Sequence, residues 1–391
     1  MTTMNHNSAK KVLILAHTFA PNVGGVETHL ADLCRELSEK HIETVVLTYQ
    51  PLVTRAKGLF KERIGAVTVY RFPWIGFGLF NKFEPYPLIQ FIYLFPVLAT
   101  MSFFYMASQN RNVGVIHAHG MVCAVIGRLL KATFRRRLVV SIHAVYGWLY
   151  NLTSNGILPR FLKWVLKGSD MVLCLAKRSR EEMIAMGIPA SGVATFTYWV
   201  DQQAFKPMDK AGCRRQLSLP DTFTVLFVGR LIPIKGVETL VQVSEKLPEV
   251  TFVFAGDGPL RSYLETSAAS HPNIRFAGNV DNKNLPPYYN AADVLCVPSQ
   301  YEEGFGRIIP EALSCGCPVI GANKGGIPEA MDSSVGILVD PVTDLIARAI
   351  ESLRNDSARL ESLKKNCVPY AQAKFSARNV QTIITAFCIK E

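Results

Sequence analysis

Charge is scarce in this 391-residue chain: Asp, Glu, Lys and Arg make up 19 %, against 49 % hydrophobic residues. That balance excludes an intrinsically disordered protein and supplies core for about two domains. Only the first ten residues or so read as a tail. Asp-x-Asp occurs nowhere, so no paired-carboxylate metal site is expected, and neither is any other cofactor. Gly256-Asp257-Gly258-Pro259-Leu260-Arg261 starts like a dinucleotide-binding turn but fails at the third glycine, which disfavours a nicotinamide oxidoreductase. Zinc-finger, basic-zipper and RNP patterns are missing, and with them the case for a nucleic-acid partner.

The nine cysteines are odd in number and scattered. Cys123, Cys174 and Cys296 sit in apolar, strand-like runs, as small hydrophobes do in a reducing cytosol. Cys315-Gly-Cys317 has no second pair to complete a zinc site. The first apolar run, 12–16, is too short for a signal peptide and reads as a buried strand, so the expected location is cytoplasmic.

What charge there is lies unevenly. Residues 1–200 hold 22 Lys/Arg against 10 Asp/Glu, a net of +12, whereas the rest hold 20 against 21. An anionic membrane surface suits this basic half, with Arg135-Arg136-Arg137 as a cluster; a solvated basic face is the alternative. Residues 85–110 carry no charge, and 88–107 are long enough to span a bilayer. Strand patterns on both sides look like parts of one parallel sheet, which a single crossing would divide. A helix buried on the sheet and one dipping into a single leaflet are the two leading readings, with a true span the least favoured.

Apolar runs alternate with helical patterns throughout, the signature of β-α units. In the first half they fall at 11–15, 43–48, 67–72, 115–119, 138–142 and 171–175. The second series runs at 224–228, 251–254, 274–276, 294–297 and 318–320. The expected division is 1–203 and 204–370, with a terminal helix, 371–391, packing back on the first domain.

Two glutamates seven residues apart, Glu303 and Glu311, bracket Gly304-Phe305-Gly306-Arg307-Ile308-Ile309-Pro310. A glycine-flanked loop entering a helix offers free backbone N–H groups to phosphate oxygens, and the carboxylates offer acceptors for sugar hydroxyls on either side. Gly229-Arg230-Leu231-Ile232-Pro233-Ile234-Lys235-Gly236 puts two cations in one loop after a strand, suited to the charge of a departing nucleoside diphosphate. Gly24-Gly25 closes the first strand–helix loop. His117-Ala118-His119 ends a strand with both histidines on one face, and His143 ends another.

Pro298-Ser299 through Gly304-Phe305-Gly306, and Glu311 through Gly316-Cys317-Pro318-Val319, resemble family 4 of the retaining glycosyltransferases. Glu-x7-Glu alone arises by chance; in this frame it is specific. The resemblance implies a GT-B fold, an α/β architecture of two Rossmann-like parallel-sheet domains facing across a cleft. It implies a nucleotide-sugar donor in the second domain and a glycan or lipid-linked acceptor in the first. By the same resemblance Glu311 binds ribose, Glu303 the sugar hydroxyls, and the Gly304-Phe305-Gly306 backbone the sugar or phosphate. Arg230 and Lys235 stabilise the leaving diphosphate and His119 faces the sugar, without a metal. Gly256 and Asp257 border the nucleotide, Gly278, Asn279 and Val280 read the base, Gly24 and Gly25 face the diphosphate, and His143 lines the acceptor side. Lys324-Gly325-Gly326 is expected as a helix-start turn near the cleft floor.

The chain departs from the family at Thr197-Tyr198-Trp199, where Pro-Asn-Gly is common, and at His143-Ala144, where His-Gly is common. The Gly-Gly-Val-Glu-Thr-His run also resembles phosphatidylinositol N-acetylglucosaminyltransferase catalytic subunits, which implies a lipid acceptor. A sugar-nucleotide epimerase of the same architecture and a non-catalytic sugar-nucleotide sensor are the rival readings. Retention of configuration is implied by the family alone; no covalent nucleophile is identifiable in the sequence.

Overall fold

The computed structural model describes residues 11–387 apart from 23, 53, 55, 76–77, 84–85 and 144–156. The expected tail at 1–10, the departure at Ala144 and the end of the terminal helix, 388–391, lie outside the described residues. Two compact units emerge: Met1–Phe196 with Asn379–Glu391, and Thr197–Arg378. The first boundary falls seven residues before the expected 203/204. Val200 N–H donates to Phe375 O, the Gln202 side chain to Ala371 O, and Arg307 to Trp199 O, so 197–203 belong with the second unit.

The first unit is built on β1 (Lys11–Leu15), β2 (Thr44–Tyr49), β3 (Lys61–Ile64), β4 (Val67–Phe72), β5 (Val113–His119), β6 (Arg137–Ile142), β7 (Met171–Cys174) and β8 (Val193–Thr195). Their order is β3-β4-β2-β1-β5-β6-β7-β8, parallel except for the antiparallel edge strand β3. The central strands are apolar on both faces, as buried parallel strands must be; β1 reads Val12-Leu13-Ile14-Leu15, every residue buried. Helices α1 (Gly25–Glu39), α2 (Leu79–Phe83), α3 (Pro87–Gln109), α4 (Gly120–Phe134), α5 (Ile157–Lys167) and α6 (Lys177–Ala185) connect them. Edge strands β3 and β8 were not legible: the first reads Lys-Glu-Arg-Ile and the second is three residues long.

The uncharged segment forms α3 and lies on the sheet. Leu94, Leu98, Ser102 and Met106, one face at a four-residue spacing, are buried there. Tyr49 of β2 is spliced into the helix: its hydroxyl donates to Leu94 O at 2.6 Å and accepts from Leu98 N at 2.8 Å. The helix also contains Pro96, whose ring disrupts this turn of the ladder. A helix whose backbone is completed by a strand of the sheet is fixed to that sheet.

The second unit carries β9 (Thr224–Val228), β10 (Thr251–Ala255), β11 (Ile274–Gly278), β12 (Val294–Val297), β13 (Val319–Ala322) and β14 (Gly336–Val339), all parallel, in the order β11-β10-β9-β12-β13-β14. Its helices are α7 (Lys210–Gln216), α8 (Val237–Lys246), α9 (Arg261–Ser270), α10 (Pro286–Ala291), α11 (Ile308–Ser314), α12 (Ile327–Ala330), α13 (Thr343–Asn355) and α14 (Ser357–Lys374). The expected continuous terminal helix is broken. Phe375 turns inward against Phe305 and Tyr370 and ends α14; the chain resumes as α15 (Val380–Phe387). That last helix belongs to the first unit, where Arg137 Nε donates to Ala386 O at 2.8 Å.

Candidate active site

Each sheet reverses its winding once, and ligands of open α/β sheets bind beyond the strand ends at that reversal. In the second unit the reversal lies between β9 and β12. The loop after β9 brings Lys235 to the loop after β12, where its amine meets Glu303 Oε1 at 2.8 Å. Ser299 Oγ donates to the same oxygen, and the Tyr301 ring lies 5.2 Å from the Lys235 amine. Burial pulls the Lys235 pKa down, but Glu303 and Tyr301 outweigh it, so the amine titrates above the ordinary lysine value. It is a cation at neutral pH. Arg230, in the same loop, is exposed.

The second glutamate is more deeply set. Glu311 accepts from Asn282 Nδ2 at 3.0 Å and from the Tyr289 hydroxyl at 2.8 Å, and Arg307 Nε lies 3.3 Å from its Oε1. Burial, reinforced by Glu311, pushes the Tyr289 phenol well above its usual range, which keeps it a donor. The loop between the glutamates splits its labour: the Phe305 side chain is buried against Tyr198 and Phe375, leaving its backbone as the part toward a ligand. Helix α11 has only seven residues. A two-turn helix contributes little dipole, so the positive charge at this reversal resides in Arg230 and Lys235.

Lys324-Gly325-Gly326 enters α12 and supports this loop from behind. Gly326 N–H donates to Glu303 O at 2.7 Å, and a Cβ at Gly326 would stand 2.1 Å from Gly304 O. The turn at Gly256 is equally close: its φ is +154°, and a Cβ would meet Gly229 O at 1.8 Å. Gly256 and Asp257 therefore follow β10 beside the Arg230 loop, and the Asp257 side chain is exposed. Gly278 ends β11, and Asn279 and Val280 follow it on the same sheet edge, with Asn279 exposed.

In the first unit the reversal lies between β1 and β5. Gly24 precedes and Gly25 begins α1 after β1; His117 and His119 end β5; His143 follows β6. The three imidazoles form one chain. Ser141 Oγ and His117 Nε2 are 2.8 Å apart, His117 Nδ1 and His119 Nε2 3.2 Å, His119 Nδ1 and His143 Nε2 2.9 Å. His29 of α1 stands 5.5 Å, centroid to centroid, from the His143 ring. Burial, with the neighbouring rings adding to it, lowers His117 and His143 to about 3 and His119 well below its ordinary value. All three are neutral at pH 7, and the tautomer of one sets the others. His119 is 2 % exposed with both nitrogens occupied; His143 is the part-exposed end of the chain.

The structure thus joins Lys235, Glu303 and the Gly304–Gly306 loop in one constellation, places Glu311 beyond that loop, and sets Gly24, Gly25, His119 and His143 around the other reversal. Sequence reasoning missed Ser299, Tyr301, Asn282, Tyr289 and the part of Arg307 toward Glu311. Arg307 was findable, four residues before Glu311 on the same helix edge. Asn282 and Tyr289 had no local signal, because tertiary packing alone brings them there.

Two parallel-sheet α/β domains of this topology define the GT-B class of glycosyltransferases. Residues 23–203 match the family described as Glycosyltransferase Family 4, and residues 211–373 that described as Glycosyl transferases group 1. The chain belongs to these glycosyltransferases. It is 27 % identical over 373 residues to the phosphatidylinositol N-acetylglucosaminyltransferase GPI3 subunit of Saccharomyces cerevisiae (strain ATCC 204508 / S288c), covering 88 % of this chain and 76 % of that one. D-inositol 3-phosphate glycosyltransferase 2 of Catenulispora acidiphila is 27 % identical over 384 residues, 90 % of this chain and 86 % of its own. Among solved structures, sucrose-phosphate synthase from Thermosynechococcus elongatus superposes with a TM-score of 0.80 at 22 % identity, covering 96 % of this chain and 97 % of that chain. Anabaena Alr3699/HepE in complex with UDP-glucose gives 0.77 at 21 %, covering 96 % and 98 %.

Proposed function

We infer that this glycosyltransferase moves a hexose-type sugar from a UDP- or GDP-sugar to a glycan or lipid-linked acceptor, with retention of configuration and without a metal. One observation carries the reading: Lys235 paired with Glu303 at the β9/β12 reversal, with the Arg230 cation in the same loop. The glycosidic bond from C1 to the β-phosphate oxygen breaks with its electron pair going to the phosphate. The acceptor oxygen bonds to C1 on the same face and passes its proton to that phosphate. Arg230 and Lys235 stabilise the charge as it forms; Glu303 accepts from sugar hydroxyls and Glu311 from the ribose. His119, expected to face the sugar, is buried with both ring nitrogens engaged, so its part in this reading is to position His143, the part-exposed ring expected on the acceptor side, which meets substrate hydroxyls.

A uridine donor is supported by the UDP-glucose complex of the structural neighbour. A lipid-linked acceptor is supported by the phosphatidylinositol N-acetylglucosaminyltransferase relative, whose name carries a lipid; the other curated relative is named for the lipid-free headgroup chemistry, an inositol phosphate. A cytoplasmic enzyme, peripheral on the inner face of a membrane, agrees with eight free, buried cysteines among the described residues. Saturation-transfer NMR with UDP-, GDP- and ADP-sugars, followed by turnover with phosphatidylinositol in EDTA, tests it. Binding of one nucleotide class and a product retaining the donor's anomeric configuration is the expected result. Strict dependence on added magnesium or manganese, or conversion of the donor with no acceptor present, refutes it.

A further inference from the structure

Helix α3 is apolar on two faces. One packs on the sheet; the other is left uncovered. Leu88, Ile92, Phe103 and Phe104 stand on that outer stripe, with Ile92 63 % and Phe104 65 % exposed. Fewer than one in five residues of its most apolar window are buried, so this is no core helix. The stripe continues sideways. Phe103 packs on Phe134 at the end of α4, ring centroids 5.3 Å apart, and Arg128 of α4 lies 5.1 Å over the Trp164 ring of α5. Trp164 itself is 48 % exposed and stacks on Phe161.

All three helices lie on one side of the sheet. The steps β4 to β5, β5 to β6 and β6 to β7 run in one direction across the order, and β1 to β2 runs in the other. Right-handed crossovers then place α3, α4 and α5 on one face and α1 on the opposite face. Charge follows the same division. From residue 85 to residue 169 the sequence contains no Asp or Glu and nine Lys or Arg. Helix α1, across the sheet, carries Glu27, Asp32, Glu36 and Glu39. The cations border the apolar stripe: Arg111 and Arg135 are exposed, Arg136 is held to Asn110 at the end of α3 by bonds of 2.9 and 2.6 Å, and Arg160 and Lys167 flank the α5 aromatics.

Building on the peripheral membrane location inferred above, we propose that the α3–α4–α5 face docks on an anionic lipid bilayer, α3 lying along the interface with its outer stripe among the acyl chains and the arginines on the headgroups. Asp170 pairs with one of the cations of this stretch, Lys131, at 2.6 Å. An uncovered apolar stripe needs an apolar occupant, and a predominantly cationic border selects a surface of negative charge. The Tyr49 splice keeps α3 on its sheet, so the protein rests on one leaflet and does not cross it.

The test uses the full chain with sedimented phosphatidylcholine vesicles, pure or doped with phosphatidylglycerol. Binding to the doped vesicles is expected, weakened by high salt and by roughly thirtyfold in Arg135→Glu, a two-unit change of charge near the surface. Phe104→Asp, at an exposed position, should lose binding with an unchanged thermal melt. Bromolipids should quench emission more strongly in the native chain than in Trp164→Phe. Three results overturn the proposal. The chain stays in the supernatant at low and high salt; the Phe104→Asp and Arg135→Glu variants bind like the native chain; or Phe104→Asp dissolves a dimer of a chain that ignores vesicles.

Discussion

At the winding reversal of residues 197–378 the buried groups are ionised and paired, Lys235 with Glu303 and Arg307 with Glu311. At the reversal of the first unit they are imidazoles held neutral and bonded to one another. The topology is the same and the electrostatics are opposite. Burial raises the free energy of any ion, so a site keeps buried charge only where a partner neutralises it. The paired site suits an anion that gains charge during the reaction. The neutral site suits hydroxyl groups, which hydrogen-bond without altering the net charge.

The sharpest way to break this contrast is to remove the cations. Arg230→Ala and Lys235→Ala should each lower kcat by about 10²–10³-fold, and the double variant should show no measurable turnover. Steady-state kinetics with the preferred donor would check it. Turnover surviving both substitutions would mean that the charged reversal is only structural.

Glu311→Ala is expected to act first on stability. It leaves Arg307 buried without its carboxylate and Tyr289 and Asn282 without their acceptor, a loss of about 3 kcal/mol in urea unfolding. Tyr289→Phe removes one hydrogen bond and should cost about 1 kcal/mol. If Glu311→Ala and Tyr289→Phe unfold at the same urea concentration, the Arg307 pairing adds nothing.

Acid tests the neutral reversal. His117 titrates near 6.5 when unfolded and at about 3 when folded. Between those values the unfolded chain binds the extra proton, so stability is full above pH 6.5 and falls as pH drops toward 3. The slope is about 1.4 kcal/mol per pH unit for one such histidine. Thermal melts from pH 7.5 down to pH 4 should show this decline, shallower in His117→Asn. Equal slopes in the two proteins would place the acid sensitivity elsewhere.

Legibility followed locality. The parallel strands were readable because a strand buried on both faces is a continuous apolar run; β9 and β12 stand where that pattern put them. Edge strands β3 and β8 were not, since an edge needs little apolar residue and few hydrogen bonds. The glutamate pair was visible as spacing, while its partners Asn282 and Tyr289 come from another stretch of chain with no periodicity to announce them. The break at Phe375 was hidden for a related reason: helical propensity is continuous through 371–387, and it is the pocket made by Phe305 and Tyr370 that captures the ring. The glycines of Gly256 and Gly326 looked like simple turns; their reason is backbone approach within 2.1 Å of a prospective Cβ, which no sequence displays.

The smallest expected effect separates backbone from side chain at the charged reversal. Asp257 follows Gly256 in the turn after β10; its carboxylate is exposed and accepts from the adjacent Gly258 N–H at 2.8 Å, with Arg261 3.7 Å away. Neither contact reaches Lys235 or Glu303, and both stand in water, where a charge pair contributes little. Asp257→Ala should therefore change kcat/KM by no more than about twofold, within the range of an ordinary surface substitution. A larger fall confined to KM for the donor would assign the Asp257 carboxylate to nucleotide binding, and the charged reversal would then extend outward past its buried pairs.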